Sequence, residues 1–137
     1  MVIDTSAIIA ILFHEEDRDI YIAAIERASR RLISAVNALE GAMVAEARKG
    51  AAAGREFDLL LHRARIDVVP MDALMVEEAR RVWREYGKCN HPAGLNFCDC
   101  CAMALARVSG HPLLFKGEDF VRAKAVSALD QDGGGRG

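Results

Sequence analysis

The sequence has no long hydrophobic run. It contains 137 residues, of which 52% are hydrophobic. The run at residues 7–13 nevertheless ends after seven positions, whereas a membrane-spanning helix needs about 20. We therefore expect no membrane span. The first four residues have no basic segment and place an acid where a signal peptide would be apolar, so we expect a cytoplasmic protein.

The chain also lacks a strong charge of either sign and has few aromatic residues. Its 18 Lys and Arg residues nearly balance 20 Asp and Glu residues, which leaves a net charge of −2. Any nucleic-acid binding must therefore come from a local basic patch and not from the whole molecule. At 6% of the sequence, aromatic residues offer few surfaces on which single-stranded bases can stack.

Cysteine is scarce and clustered. Cys89, Cys98, Cys100 and Cys101 lie within thirteen positions, which is a poor framework for disulfides in a chain long enough to build a core. With His91 they invite a zinc site. The spacing lacks the paired C-x₂-C pattern, however, and a helix over this segment would turn the thiols to different faces. We expect reduced thiols, with Cys100 and Cys101 packed in the core.

Short apolar segments alternate with longer segments of helical periodicity, which predicts an α/β fold with a mostly parallel sheet. The predicted strands are residues 2–3, 32–33, 66–69 and 113–115. The predicted helices are residues 7–13, 17–29, 35–49, 52–65, 72–86 and 97–108. Thr5 or Ser6 is expected to cap the first helix and Gly50 to end the third. Residues 1–129 are predicted to form one domain, and the Gly-rich tail at 130–137 is predicted to be disordered.

Four acidic residues, far apart in the sequence, are predicted to meet at one edge of this sheet. Asp4 and Asp119 follow predicted strands, and ligands of open α/β sheets bind outside the carboxyl ends of the strands. Glu40 lies in the helix after the second strand, and Asp99 begins another helix. Two carboxylates 5 Å apart repel by roughly 3 kcal/mol at an effective dielectric near 20. Such a cluster needs a cation, and hard oxygen ligands select Mg²⁺ or Mn²⁺.

An ion held there would activate a water and neutralise charge on a phosphorus centre, so the pattern indicates metal-assisted phosphodiester hydrolysis. Taken singly, each acid has an ordinary explanation: an Asp after a strand is most often a helix N-cap, and a helical Glu is usually solvated. Phosphatases that use an aspartyl nucleophile also begin with an Asp after a strand. They need a second acid at the position of Ser6, so that class is excluded.

Three segments carry a resemblance to a known family. They are Val-Ile-Asp-Thr-Ser-Ala at 2–7, Leu-Asn-Phe-Cys-Asp-Cys at 95–100 with the small apolar residues that follow, and Pro-Leu-Leu-Phe-Lys-Gly-Glu-Asp-Phe at 112–120. In this order and spacing, with Glu40 between the first two, they resemble PIN-domain ribonucleases. More narrowly, residues 1–127 resemble the VapC toxins of bacterial type II toxin–antitoxin modules. The resemblance implies a PIN-like fold, with a short central sheet flanked by helices on both faces.

The resemblance also implies a catalytic and metal-binding site that holds Mg²⁺, with Mn²⁺ as an alternative ion. Its ligands would be Asp4, Glu40, Asp99 and Asp119. The family pattern commonly has Gly where this chain has Cys98, and a side chain there changes how the backbone approaches the site.

Further site residues follow from the same resemblance. Thr5 or Ser6 would hydrogen-bond the first acid or the scissile phosphate. The fourth acid is placed at Asp119, directly before the phenylalanine, with Glu118 as the alternative. Arg122 would share a helical face with Asp119 and reach a substrate phosphate or an antitoxin carboxylate, although an arginine in solvent explains it equally well. The Thr-Asp that often follows in the family is replaced here by Ala and Lys at 123–124.

The implied activity is that of a Mg²⁺-dependent endoribonuclease toxin that cuts tRNA or rRNA. The implied partners are its RNA substrate and a cognate VapB-type antitoxin, with homodimers, antitoxin-bridged higher oligomers, and operator DNA bound only through the antitoxin. The alternative is a catalytically weak or inactive module that binds RNA or the antitoxin through basic residues. Those residues are Arg30, Arg31, Arg48, Lys49, Arg63, Arg65, Arg80, Arg81 and Arg84.

Overall fold

The structure is a computed structural model that describes residues 1–130, so the predicted Gly-rich tail beyond residue 130 lies outside the described residues. Four strands form one sheet: Val2–Ile3 (β1), Leu32–Ser34 (β2), Asp67–Val69 (β3) and Leu113–Leu114 (β4). The helices are Thr5–Leu12 (α1), Arg18–Arg27 (α2), Ala35–Arg63 (α3), Ala73–Tyr86 (α4), Phe97–Ser109 (α5) and Asp119–Arg122 (α6). Within residues 1–130, no helix combines the length and apolar character needed to cross a bilayer.

The sheet is parallel throughout and has the strand order β3-β2-β1-β4. Its register pairs Val2 with both Leu32 and Leu113, which places β1 at the centre. The predicted α/β class and the parallel sheet are confirmed. Because all four strands point the same way, their carboxyl ends meet at a single edge, and the segments that leave those ends form one surface.

Successive residues of the inner strands face opposite sides of the sheet, as the pleat requires. Val2, Leu32 and Leu113 pack against α4 and α5, whereas their neighbours Ile3, Ile33 and Leu114 pack against α1, α2 and α3. The strands are therefore buried on both faces, which explains why they are continuously apolar in the sequence. Helices on both faces are confirmed.

The first helix begins two residues earlier than predicted, because the cap is Asp4 and neither Thr5 nor Ser6. The Asp4 backbone is extended, and its side chain accepts the backbone N–H of Ser6 at 3.0 Å. A carboxylate is a better N-cap than a residue already inside the first turn. The acid that ends β1 therefore also starts α1, which fixes its side chain at the edge of the sheet.

The predicted helices 35–49 and 52–65 correspond to the two halves of α3. A kink at Lys49 and Gly50 separates them, as expected for a helix that ends at Gly50. Gly50 has φ +79°, and Lys49 before it is also non-helical. A positive φ suits glycine, which has no Cβ to clash. The two halves of α3 therefore fold back on each other, and Gly41 of the first half lies against the ring of Phe57 in the second. A Cβ at Gly41 would come within 2.3 Å of Phe57 Cε2.

We predict that Gly41→Ala destabilises the protein by about 1–3 kcal/mol, because the added methyl overpacks a ring with no free space around it. Gly54→Ala is the matched control in the same helix, since its Cβ would meet only the flexible side chain of Glu46. Urea unfolding measures both. The double variant Gly41→Ala/Phe57→Leu should lose less than the two single changes add up to; full additivity would contradict this packing.

Candidate active site

Asp4 lies at the centre of the carboxyl edge of the sheet. Its backbone N–H donates to the carbonyl oxygen of Leu114 at 2.9 Å, which extends the β1–β4 pairing to this residue. Its carboxyl is only 4% exposed. The Oδ2 atom accepts both the N–H of Ser6 at 3.0 Å and the Ser6 hydroxyl at 2.6 Å. Ser6 therefore fixes the direction in which the Asp4 carboxyl points.

Ser6 also joins Asp4 to the segment that follows β4. Its Oγ accepts the backbone N–H of Lys116 at 2.9 Å. The Lys116 ammonium donates to Glu15 Oε1 at 2.6 Å and to Asp17 Oδ1 at 3.0 Å. Lys116 thus ties the β4–α6 connection to the turn between α1 and α2. The sequence pattern gave this lysine no role, because its two partners lie about a hundred positions away.

Asn37, in the first turn of α3, connects three elements of the site. Its backbone N–H donates to Ser34 Oγ at 3.0 Å, and its Oδ1 accepts the Ser34 hydroxyl. Its backbone oxygen accepts the Thr5 hydroxyl at 3.0 Å. Its Nδ2 donates to the carbonyl oxygen of Cys98 at 3.1 Å. Asn37 is fully buried, and every polar group of its side chain has a partner.

Of the two residues expected to bond the first acid, Ser6 provides the side chain that does so. The Thr5 side chain is buried and its hydroxyl donates to the backbone oxygen of Asn37, so it holds α1 against α3. Sequence reasoning gave Asn37 no role in the site, and it missed that the amide reaches α5. The signal was a polar residue three positions after a Ser at a strand end, which is an N-cap pattern.

Asp99 is held at the start of α5 by a reciprocal capping box. Its N–H donates to Asn96 Oδ1 at 2.8 Å, and its own Oδ2 accepts the N–H of Asn96 at 3.0 Å. Burial of its carboxyl raises the pKa of Asp99 to about 6, the bond to Asn96 opposes the rise, and the charges of Asp4, Asp119 and Glu40 add to it. Asp99 is therefore electrostatically coupled to all three of the other predicted ligands.

Glu40 lies half-buried in the second turn of α3, with Cys98 of α5 beside it. The Cys98 thiol donates to the Glu40 carboxylate. Burial, this bond and the Glu40 charge together raise the pKa of Cys98 to about 12. The thiol therefore stays protonated at neutral pH. Cys98, which stands where the family pattern commonly has Gly, thus contacts Glu40 and helps to orient its carboxylate.

Asp119 begins α6 and is more than half exposed. Its Oδ1 accepts from Arg122 Nη1 at 3.3 Å, one helical turn away. Glu118 is also exposed and makes no side-chain capping bond. The charge of Asp119 acts on Asp99, so its exposed carboxylate lies near that acid. Arg122 lies on the same helical face and is paired with this carboxylate.

Asp4 is perturbed in the same direction as Asp99. Burial raises its pKa to about 6, the two bonds from Ser6 oppose the rise, and the charge of Glu40 adds to it. Within residues 1–130, no three His, Cys, Asp or Glu side chains form a compact metal-binding group. The charges of Asp4, Glu40 and Asp119 all act on Asp99, and Asp119 is also paired with Arg122. The donor set is all oxygen and like-charged, which is the chemistry that suits a hard divalent ion. The described cysteines form no zinc site either, and Cys100 and Cys101 are buried as expected.

The sequence matches the model of the PIN domain over residues 1–126. The chain belongs to the PIN-domain family. Within it, the chain groups with the VapC ribonucleases. It is 52% identical over 120 residues to ribonuclease VapC30 of Mycobacterium tuberculosis, which covers 88% of this chain and 92% of that protein. It is 51% identical over 129 residues to ribonuclease VapC of Mycolicibacterium smegmatis, which covers 94% and 99%.

The PIN fold is also recognisable in three dimensions. The structure is similar to the crystal structure of VapC20 from Mycobacterium tuberculosis, which is described as a toxin that cleaves the sarcin-ricin loop. The TM-score is 0.74, and the match covers 91% of this chain and 95% of that one. At 17% sequence identity this likeness concerns the fold alone.

We predict that Asp4→Asn stabilises the metal-free PIN domain at pH 7 by up to about 3 kcal/mol, because a buried charge is removed while an amide oxygen can still cap α1. The folded-state pKa of Asp4, about 6, lies above its ordinary value of 3.8, so the destabilising charge is absent below roughly pH 4 and fully present above about pH 6. The stability gained by Asp4→Asn should therefore increase with pH over this range, as the charge on wild-type Asp4 develops. Thermal unfolding in chelator measures it.

The exposed carboxylate of Asp58 provides the control for this measurement. Asp58→Asn should leave the melting temperature nearly unchanged across the same pH range, since a solvated surface charge contributes little. A gain that is equal for both variants, or one that is independent of pH, would contradict a desolvated Asp4.

Proposed function

We propose that this PIN domain is a Mg²⁺-dependent endoribonuclease toxin that hydrolyses RNA phosphodiester bonds in the cytoplasm. The observation that carries the proposal is the Asn37 junction, whose hydrogen bonds hold together the elements that carry Asp4, Glu40 and Asp99. The charges of Asp4, Glu40 and Asp119 act on Asp99 there. The names of its relatives support the reaction: VapC30 of Mycobacterium tuberculosis and VapC of Mycolicibacterium smegmatis are both ribonucleases.

Asp4, Glu40, Asp99 and Asp119 are the residues that would hold the metal, with Mg²⁺ as the ion and Mn²⁺ as an alternative. A bound divalent ion would supply Lewis acidity and positive charge at the scissile phosphate. The attacking group is water, so no covalent intermediate with the protein forms. The observed arrangement favours this chemistry because the carboxylates are oxygen donors that repel one another in the absence of a cation.

The surrounding residues position these acids. Ser6 holds the Asp4 carboxyl by two hydrogen bonds. Asn96 holds Asp99 through the capping box. The Cys98 thiol contacts Glu40. Groups fixed in this way lose little freedom when substrate binds, which lowers the cost of reaching the transition state. Arg122, exposed beside Asp119, can turn to a substrate phosphate.

The proposed substrate is a structured RNA, tRNA or rRNA. VapC20, whose fold is similar, is described as cleaving the sarcin-ricin loop. The proposed protein partner is a cognate VapB-type antitoxin that covers the acidic site. We also propose a homodimer and antitoxin-bridged higher oligomers, which would contact operator DNA only through the antitoxin. The competing function is a PIN module that binds RNA or the antitoxin without cleaving.

The decisive test compares the wild-type protein with Asp99→Asn. We expect the variant to lose cleavage of total RNA by on the order of 10²-fold or more and to lose growth arrest in bacteria, since an ion-binding carboxylate has become a neutral amide. Removing Mg²⁺ with chelator should have the same effect on the wild type. Asp58→Asn is the control and should remain active. Equal toxicity of the wild type and Asp99→Asn would favour the non-cleaving module.

A second comparison separates Asp119 from Glu118. Asp119→Asn should raise the Mg²⁺ concentration that gives half-maximal cleavage by about tenfold or more, because the charge that acts on Asp99 is removed. Glu118→Gln should leave that concentration nearly unchanged. Mg²⁺ titration of the cleavage rate measures both variants, and the reverse result would assign the fourth ligand to Glu118.

A further inference from the structure

A groove of about 520 Å³ opens between α4 and the start of α5. The residues that matter here are Val76, Arg80, Trp83, Lys88, Asn96 and Phe97. We call it the α4–α5 groove. Its volume lies in the range of sites that accept small organic groups. None of the four acids lines it.

The walls of the groove are apolar and open to solvent. Trp83 is 48% exposed and Phe97 74% exposed. Large apolar side chains scattered singly over a surface are ordinary, but several that line one concave surface mark a binding site. Aromatic rings in such a place offer a flat face to a ligand. Such walls suit a ligand that has a flat, apolar part.

The same groove carries two uncompensated cations. Arg80 and Lys88 are exposed, and neither forms an ion pair with any residue between 1 and 130. Two other cations on these helices are paired: Arg81 contacts Glu78, and Arg107 contacts Glu78 and Glu85. A ligand that combines a flat apolar part with negative charge fits the rings and the cations together.

The groove is continuous with the acid cluster through Asn96. This residue lines the groove, and it exchanges two hydrogen bonds with Asp99 in the capping box. A chain bound to the groove would thus extend directly toward the carboxylates. A polymer with alternating flat and anionic parts can occupy both places at once.

We propose that the α4–α5 groove binds an unpaired nucleobase of the RNA substrate against the Trp83 and Phe97 rings, with neighbouring phosphates at Arg80 and Lys88. The inference rests on the proposed ribonuclease function and adds to it: the enzyme selects RNA in which a base next to the cleaved bond is unstacked. A second copy of this chain fits less well. A symmetric contact would bring the Arg80 and Lys88 charges of both copies to one interface.

Trp83 is the single tryptophan of the chain, so selectively excited tryptophan emission reports on this groove alone. The probe is a 2′-O-methyl tetraribonucleotide, added to wild-type protein in chelator so that no cleavage occurs. We expect saturable quenching of Trp83. The same oligonucleotide with its bases removed, and a fully paired duplex with the same number of phosphates, should quench far less, because stacking requires a free base.

Variants locate the contacts. Phe97→Leu should weaken binding about tenfold, the scale of one base–aromatic stack. Arg80→Gln should weaken it and reduce the slope of log affinity against log salt by about 0.7, as expected for one phosphate contact on a single strand. Arg84→Gln and Leu74→Ala are matched controls on α4: both residues are exposed, neither lines the groove, and both variants should bind like the wild type.

Three results would overturn the proposal. They are quenching by the abasic probe as strong as by the intact one, no quenching by any RNA probe, and a Trp83 emission that shifts when the free protein is diluted. An emission shift on dilution would assign the groove to a second copy of this chain. No quenching by any RNA probe would assign it to a protein partner. Cleavage without base-dependent quenching defeats this inference alone. Quenching without Mg²⁺-dependent cleavage defeats the ribonuclease function and leaves the base site standing.

Discussion

The site depends on the buried side chain of Asn37. Its amide joins the end of β2 to the start of α5, and its backbone oxygen receives the hydroxyl of Thr5 from α1. An unpartnered amide in this interior would cost about 1–3 kcal/mol, so the three elements hold together in the one arrangement that satisfies it. Asp4 caps α1, Glu40 lies on α3 with Asn37 itself, and Asp99 lies in the first turn of α5, so their mutual positions follow from this junction.

The Asn37 junction brings like charges together, and their burial and mutual repulsion destabilise the folded state. Asp4 and Asp99 both have pKa values raised to about 6, with burial as the main cause. A protein selected only for stability would not keep carboxyls in such a place, whereas perturbed groups of this kind cluster at functional sites. The hydrogen bonds from Ser6 and Asn96 keep these carboxyls oriented in spite of the repulsion. The buried, repelling carboxyls of Asp4 and Asp99 lower the stability of this edge of the sheet. The same carboxyls favour the binding of a cation.

Much of the architecture was predictable from hydrophobic pattern alone. The apolar pairs that begin at Val2, Leu32 and Leu113 identified three strands. Both faces of a parallel sheet are buried, so its strands are continuously apolar and do not alternate with polar residues. The break at Gly50 was predictable because a positive φ favours glycine. The cap of α1 was predicted wrongly: propensity ranks Thr and Ser with Asp, and only the extended backbone at Asp4 decides among three adjacent capping residues.

The roles of the neighbours were harder to predict than the acids. Lys116 pairs with Glu15 and Asp17, and Cys98 bonds Glu40, across separations that no local pattern encodes. Trp83 and Phe97 lie on different helices, and sequence periodicity could not show that they line one groove. Each of these contacts depends on how helices pack across the sheet, which is a property of the assembled core.

The sequence by itself determined the order of strands and helices and the caps within a residue or two, because these follow from local periodicity. Its motifs also nominated the four acids. Only the tertiary structure decided that Asp99 is coupled to Asp4, Glu40 and Asp119, that Thr5 turns away to Asn37, and that an apolar groove opens beside Asn96. The physical reason is that desolvation and charge coupling depend on distances between residues far apart in the chain, and those distances exist only once the two cores have packed on the sheet.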